Sequence, residues 1–286
     1  MKILSCGAGM QSTALALMSC ANKLVAENRA FRFNFTYTEQ VPIYDAILFC
    51  DLGLEPGWVM DQVNFIKSAC EWAKIPFYIL KSRLYEDYMR DFGVHRTTSI
   101  PFWTLDEKGK KGKMMRNCTL DYKINLMQNF VRWQLLGYKK GQRTKPEDMK
   151  AHEMHLGFSQ EEVHRCKENP HKMFVNKFPL VEMGVERKDN YAYVKEVWGF
   201  ETKARACCFC PFNTNYFFDF IKRNNKEEYE RTVEFDQMLE DKQPSTKIRS
   251  KLYISKSRKR IKDLLPEECH DKECFPYRDE MIWNGF

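Results

Sequence analysis

The stretch Ser5-Cys6-Gly7-Ala8-Gly9-Met10-Gln11-Ser12 decides the reading of this chain. It follows a short strand-like run, Lys2-Ile3-Leu4, and opens an apolar helix expected from Gln11 to Ala21. A strand, a glycine-rich turn and a helix together make a phosphate-binding device. The glycines let the backbone approach an oxyanion. The first helical N–H groups have no intrahelical acceptor, and the helix dipole favours negative charge there. Ser5, Ser12 and Thr13 add hydroxyl donors. A Walker-type loop requires Gly-x-x-x-x-Gly-Lys-Ser/Thr, and this turn has no lysine. A dinucleotide fingerprint requires a third glycine where Ser12 stands and an acid about 20 residues further on. Neither is present.

Outward from the turn, strand and helix alternate. Ala46-Ile47-Leu48-Phe49-Cys50 is a continuous apolar run, as a strand buried on both faces requires. A helix is expected from Pro56 or Gly57, with Val59, Val63, Phe65, Ile66, Ala69 and Trp72 roughly at helical spacing. Pro76–Leu80 reads as the next strand, and Phe31–Tyr37 as an extra strand or an extended connection. The expected class is α/β, a parallel twisted sheet with helices on both faces. Ligands in such sheets sit beyond the carboxyl ends of the strands.

Further along, Asp106–Lys113 reads as a glycine-lysine loop and Leu120–Leu136 as a helix ending near Gly137. His152–Gly157 is expected to be a short strand, with Ser159 as the N-cap of a following helix. Asn190–Trp198 looks helical, Thr202–Phe212 is a cysteine loop, and Asn215–Glu240 is a long polar helix. The division expected is an α/β nucleotide-binding domain over residues 1–200, with a cysteine-rich, basic, mostly helical region over residues 201–286 packed on it.

The 286 residues suit one large domain or one with a smaller appendage. Hydrophobic residues are 43%, enough for a substantial core, so disorder is not the default. The net charge of +7 is a mild bias toward anionic partners such as nucleotides or nucleic acid. With a strand from Lys2, no targeting peptide is expected. No apolar run reaches the ~18–20 residues of a membrane span, so no membrane partner is expected and the expected location is cytoplasmic. In a reducing compartment, eleven cysteines point to metal or redox chemistry rather than disulfides.

Four further stretches carry chemistry. Asp51-Leu52-Gly53-Leu54-Glu55 follows the apolar strand, and buried carboxylates at a strand end need partners. Alternatively Glu55 is a helix N-terminal carboxylate. Arg116-Asn117-Cys118-Thr119-Leu120-Asp121-Tyr122-Lys123 flanks a cysteine with cations, which favours thiolate and anions; otherwise it is a helix start with a buried cysteine. Gly157-Phe158-Ser159-Gln160-Glu161-Glu162 runs on to Arg165. A Glu162–Arg165 or Glu161–Arg165 pair within the helix is its plainer reading. Cys207-Cys208-Phe209-Cys210 contains a Cys-x-x-Cys that can chelate a metal or one edge of a cluster, with Cys208 pointing elsewhere. Basic stretches at Lys108–Lys113, Lys139/Lys140/Arg143 and Lys247–Lys262 could track a phosphate backbone or form a solvated surface.

These motifs, in this order, resemble the PP-loop adenine nucleotide α-hydrolase superfamily, in its phosphoadenylylsulfate-reductase-like branch. The resemblance covers about three quarters of the chain, from Lys2 to Phe212. Gln11 stands where many members have Asp, Leu52 where the branch has Thr, and Glu161 where it has Asp. The resemblance implies ATP held by Ser5, Gly7, Gly9, Gln11, Ser12 and Thr13, with Asp51 and Glu55 positioning the nucleotide or Mg²⁺. Arg116, Lys123 and Arg165 would bind substrate anions beside Glu162, and Ser12, Asp51, Arg116, Cys118 and Lys123 form the expected catalytic set. Cys118, Cys207 and Cys210, with Cys274 or less favourably Cys269, would hold a [4Fe–4S] cluster or Zn²⁺; free or redox thiols are the remaining reading. The implied activity is adenylylation with pyrophosphate release, coupled to sulfur transfer to tRNA or DNA, with a sulfur-donor protein such as a cysteine desulfurase. A sulfonucleotide reductase and a non-catalytic binding module with structural zinc are the alternatives. Against the reductase, Glu268-Cys269-His270 lacks the Gly-Leu of the reductases' Glu-Cys-Gly-Leu-His.

Overall fold

The computed structural model describes residues 1–29, 38, 40–94, 99–203, 206–265 and 268. The strand expected at Phe31–Tyr37, and Cys269 and Cys274, lie outside them. The chain runs β1 (Lys2–Cys6), α1 (Met10–Ala26), β2 (Ala46–Asp51), α2 (Gly57–Ala73), β3 (Phe77–Lys81), α3 (Leu84–Asp91) and the strands β4 (Trp103–Leu105) and β5 (Lys111–Lys113). Then come α4 (Asn125–Phe130), β6 (His152–Leu156), β7 (Phe174–Lys177), α5 (Pro179–Glu182), α6 (Arg187–Trp198), α7 (Asn215–Asn224), α8 (Lys226–Lys242) and β8 (Lys251–Tyr253).

The main sheet has five parallel strands in the order β3-β2-β1-β6-β7. Successive strand residues point to opposite faces. Leu4, Cys6, Ile47 and Phe49 face one core with α1, α2 and α6; Ile3, Ala46, Leu48 and Cys50 face the other, with Met127 of α4 and Val131. Apolarity on both faces is what made β2 legible as an unbroken run. The chain leaves β1 toward β2 on one side and returns to β6 on the other. The β1/β6 boundary is therefore the switch point, where the turn after β1 and the turn after β6 splay apart and leave a crevice.

A second, smaller core joins Tyr85, Tyr88 and Phe92 to Phe102, Phe209, Phe217 and Phe235. The segment Asp106–Lys113 is not a plain loop. β4 and β5 pair as an antiparallel hairpin, and β8 pairs on the other side of β4. Asp106 organises the turn by accepting from the N–H groups of Lys108 (3.0 Å) and Lys110 (2.7 Å). The helix over residues 120–135 is present, with wider π-type turns at Leu120–Ile124 and Val131–Leu135 flanking α4. Ser159 makes no side-chain cap bond, and Gln160–Arg165 is a tight 3₁₀ turn rather than an α-helix.

The helix expected from Asn215 to Glu240 breaks at Asn225 (φ −147°, ψ 90°). The Asn225 carboxamide accepts from Glu228 N at 3.2 Å, so the residue caps α8 instead of continuing α7. The tail beyond Lys242 is partly internal. The buried Arg260 guanidinium donates to the Asp236 carboxylate (3.0 Å) and to Leu252 O, which fixes β8 to α8. Asn225→Ala should cost about 1 kcal/mol, the usual worth of an N-cap. Urea unfolding measures it, and an unchanged midpoint contradicts the capping role.

Candidate active site

The turn after β1 is held from behind. Its left-handed step falls on Ala8 (φ 54°), not on Gly9 (φ −91°). A left-handed non-glycine costs roughly 1–2 kcal/mol and needs support. Buried Gln62 of α2 supplies it, donating Nε2–H to Ala8 O at 2.6 Å. The Ser12 hydroxyl bridges the turn from inside, accepting from Gly7 N (3.1 Å) and donating to Gly9 O (3.2 Å). Thr13 is fully buried and stands outside the pocket lining. Of the three hydroxyls, Ser5 and Ser12 reach the pocket. Gly9 brings no side chain to the helix start, and the first turn of α1 carries no acid. The positive end of that helix therefore faces the crevice.

The turn after β6 closes on the same point. A Cβ on Gly157 would lie 2.7 Å from Ser12 N and 2.9 Å from Ser12 Cα, so only glycine allows this approach. Gln11 then ties the two turns, donating Nε2–H to Glu162 Oε2 at 2.8 Å and to Ser159 Oγ at 3.4 Å. Glu162 also pairs with Arg165, and Arg187 stands 3.9 Å from it. The intrahelical Glu162–Arg165 pair is thus realised. Glu161 turns away to accept from Arg187 N (2.9 Å). Arg165 lies over the Phe158 ring (4.4 Å), itself stacked on Phe178.

The crevice between these turns is a pocket of about 430 Å³. Residues from three of the motifs line it: the turn from Ser5 to Ser12, Arg116 with Thr119 and Lys123, and Gly157 with Glu162 and Arg165. Arg187 and Lys203 join them. Neither stands out in the sequence, because neither sits in a motif. Arg187 is delivered by the start of α6, where Glu186 and Asp189 form a capping box. Lys203 is delivered by its backbone N–H, which bonds the other end of Gln62. Five cations, Arg116, Lys123, Arg165, Arg187 and Lys203, thus line the pocket against one carboxylate, Glu162, already engaged by Gln11 and Arg165. The arrangement suits a polyanion.

Asp51 and Glu55 stand elsewhere. They line a second pocket of about 310 Å³ with Gly57, Glu228 and Arg231. Asp51 accepts from Gly53 N (2.8 Å), Glu55 takes the Cys207 thiol at 4.0 Å, and Glu228 accepts from Gly57 N (2.7 Å). Burial raises the Glu228 carboxyl above the usual range, and charge from Glu227 adds to this; the Gly57 N–H and Arg231 oppose it.

The cysteines divide in the same way. Cys207 faces Glu55, Cys208 is fully buried, and Cys210 lies within the electrostatic reach of Cys118, Arg116 and Lys123. Burial pushes the Cys210 thiol up; a backbone N–H from Phe212 lowers it, Cys118 raises it further, and Arg116 and Lys123 lower it. Among the described residues, no group of three or more His, Cys, Asp or Glu side chains converges to hold a metal. Cys118, Cys207 and Cys210 therefore do not fit a cluster or Zn²⁺ in this arrangement, and Cys274 lies outside the described residues. Mg²⁺ likewise finds no uncommitted carboxylate among those lining the main pocket. No helix among the described residues is long and apolar enough to cross a membrane.

The fold and site define an α/β protein with a cationic, helix-terminated pocket at the switch point of a parallel sheet. No protein-family model matches the chain, and no curated protein matches it significantly. Among solved structures, it is similar to the U34-tRNA thiolase NcsA from Methanococcus maripaludis with its [4Fe–4S] cluster. Identity is 15%, over 84% of this chain and 71% of that one, with a TM-score of 0.36. Likeness at that level is too slight to assign a role to any residue, and the chemistry of the pocket rests on this chain's own side chains.

Gly157→Ala should abolish anion binding in the pocket while leaving most of the fold, because the methyl must push back the first turn of α1. Calorimetric titration with pyrophosphate checks this; wild-type affinity contradicts it. Glu228→Gln keeps an acceptor for Gly57 N and removes the buried charge. The wild-type carboxyl is raised on folding, so its contribution is fully present below the ordinary value of 4.5 and is lost as pH rises through the folded value. The variant should therefore gain stability relative to wild type between pH 4.5 and pH 7, read from unfolding midpoints at both.

Proposed function

We propose that this protein is an ATP-using enzyme that cleaves between the α- and β-phosphates, adenylylates a nucleic acid and releases pyrophosphate, and that sulfur then displaces AMP. The observation that carries the reading is the pocket's charge: five cations and a helix N-terminus against a single paired carboxylate. In the reaction, an oxygen of the acceptor attacks the α-phosphorus and the bond to the β-phosphate oxygen breaks. Charge accumulates on the departing pyrophosphate. The first-turn N–H groups of α1, with Arg165 and Arg187, would stabilise it there. Arg116 and Lys123, on the opposite wall, would orient the acceptor. A sulfur nucleophile then attacks the activated carbon, and AMP carries the oxygen away.

Mg²⁺ would come as part of the substrate, held by the nucleotide's own phosphates, because the one carboxylate lining the pocket is already engaged. No step is assigned to a cluster. The sulfur is taken from a donor protein, such as a cysteine desulfurase, whose persulfide a thiol reductant releases as hydrosulfide, the nucleophile, with formation of a disulfide. Resemblance to the PP-loop enzymes supports the choice of ATP over other polyanions, as does a pocket of about 430 Å³, within the size range of small-molecule and cofactor sites.

The test is pyrophosphate and AMP release from ATP in the presence of tRNA, DNA or sulfated adenylate, with Ser12→Ala as control. Release with a nucleic acid is expected. Arg165→Ala should lower kcat/KM by roughly 10²-fold, the effect of removing one preorganised charge at a developing oxyanion. Sulfite formed from sulfated adenylate with a thiol donor, and no pyrophosphate from ATP, would assign a reductase instead.

A further inference from the structure

The hairpin of β4 and β5 leads into the pocket wall at Arg116, and its surface there is aromatic as well as cationic. Phe212 is 39% exposed. Lys113 Nζ lies 4.8 Å and Arg116 Cζ 5.4 Å from its ring centre. Trp103 stands beside it, with Lys113 at 5.3 Å and Arg258 at 5.4 Å from its ring. The indole is fixed in place, donating Nε1–H to Pro211 O at 2.7 Å. Arg258 is fixed too, through Thr104 O and Gly112 O. Between Lys113 and Arg116, Met115 is 78% exposed, the most exposed large apolar side chain among the described residues. Lys108, Lys110 and Lys111 extend the cationic strip outward past the exposed Glu107, and the Asp106 carboxylate is engaged by its own turn.

Cations alone would serve a duplex, whose backbone offers charge and whose bases are hidden. Exposed aromatic and thioether surfaces interleaved with cations suit bases that are splayed out. Such bases stack on a ring and place their phosphates on the neighbouring lysines. Arg116 belongs to both surfaces, since it lines the pocket and lies over the Phe212 ring, and Met115 precedes it in the chain. We propose that Phe212 and Met115, with Lys113 and Arg116, form a stacking platform for an unpaired segment of a single-stranded polynucleotide, which threads past Arg116 to present its acceptor in the pocket. The proposal rests on the reading of the pocket as an adenylylation site with a nucleic-acid acceptor, and it names the form in which that acceptor arrives.

Fluorescence anisotropy without ATP tests it, using labelled 12-nucleotide single-stranded RNA, the same sequence in DNA, and its blunt duplex. Both single strands should bind more tightly than the duplex, and the tighter of them identifies the natural source. Phe212→Ala should weaken single-strand binding by about 5- to 150-fold, the worth of one base–aromatic stack, and leave duplex binding unchanged. Phe212→Trp should restore it. A Phe212→Ala variant with wild-type single-strand affinity overturns the platform, as does a duplex that binds as tightly as either strand. The two readings fail separately. ATP cleavage with no single-strand binding removes the platform alone. Single-strand binding lost on Phe212→Ala, with no ATP bound, keeps the platform and removes the adenylylation site.

Discussion

The site depends on one close approach. The backbone at Gly157 lies against the first turn of α1 so tightly that a single methyl would meet Ser12 N at 2.7 Å. This contact sets the distance between the two turns at the sheet's switch point, and therefore the width of the pocket. Gln11 then fixes their relative angle through Glu162, and Gln62 fixes Ala8 from the other side. Helix N-terminus, cations and pocket shape all follow from a backbone packed at its limit. The strain at Ala8 is held by a buried side chain.

The position of Gln11 illustrates how a departure from the family pattern becomes intelligible. Many members of the family it resembles carry Asp there. In this chain the neighbour is the buried carboxylate of Glu162, and a second carboxylate at 2.8 Å would be repelled. An amide donates to Glu162 instead, and the carboxylate goes on to pair with Arg165. Gln11, expected among the residues holding ATP, is here a strut between two halves of the site.

The elements legible in the sequence were those with apolar runs, helical patterns or sharp motifs: β1, α1, β2, α2, β3, the helical stretch around α4, β6 and α6. β7 escaped because Phe174-Val175-Asn176-Lys177 is a short edge strand, mostly half-buried. The hairpin at Trp103–Lys113 escaped because lysines and glycines on three-residue strands read as a loop. Three motifs did converge on one pocket. Asp51–Glu55 did not, since β2 delivers Cys50 to the main pocket and turns Asp51 toward α8. Arg187 and Lys203 carry no local signature; only the fold brings them in. The Cys-x-x-Cys spacing can chelate one metal, yet Cys207 bonds Glu55 while Cys210 lies within the electrostatic reach of Cys118.

The central claim is that the turn between β1 and α1 cradles the phosphates of ATP. The most direct measurement is a crystal structure with α,β-methylene ATP, which cannot be cleaved at the bond in question. The account predicts the β- and γ-phosphates on the first-turn N–H groups of α1, with Arg165 and Arg187 in contact. A triphosphate seated instead between Asp51 and Glu228, or one that leaves the Gly7–Ser12 turn untouched, would contradict it.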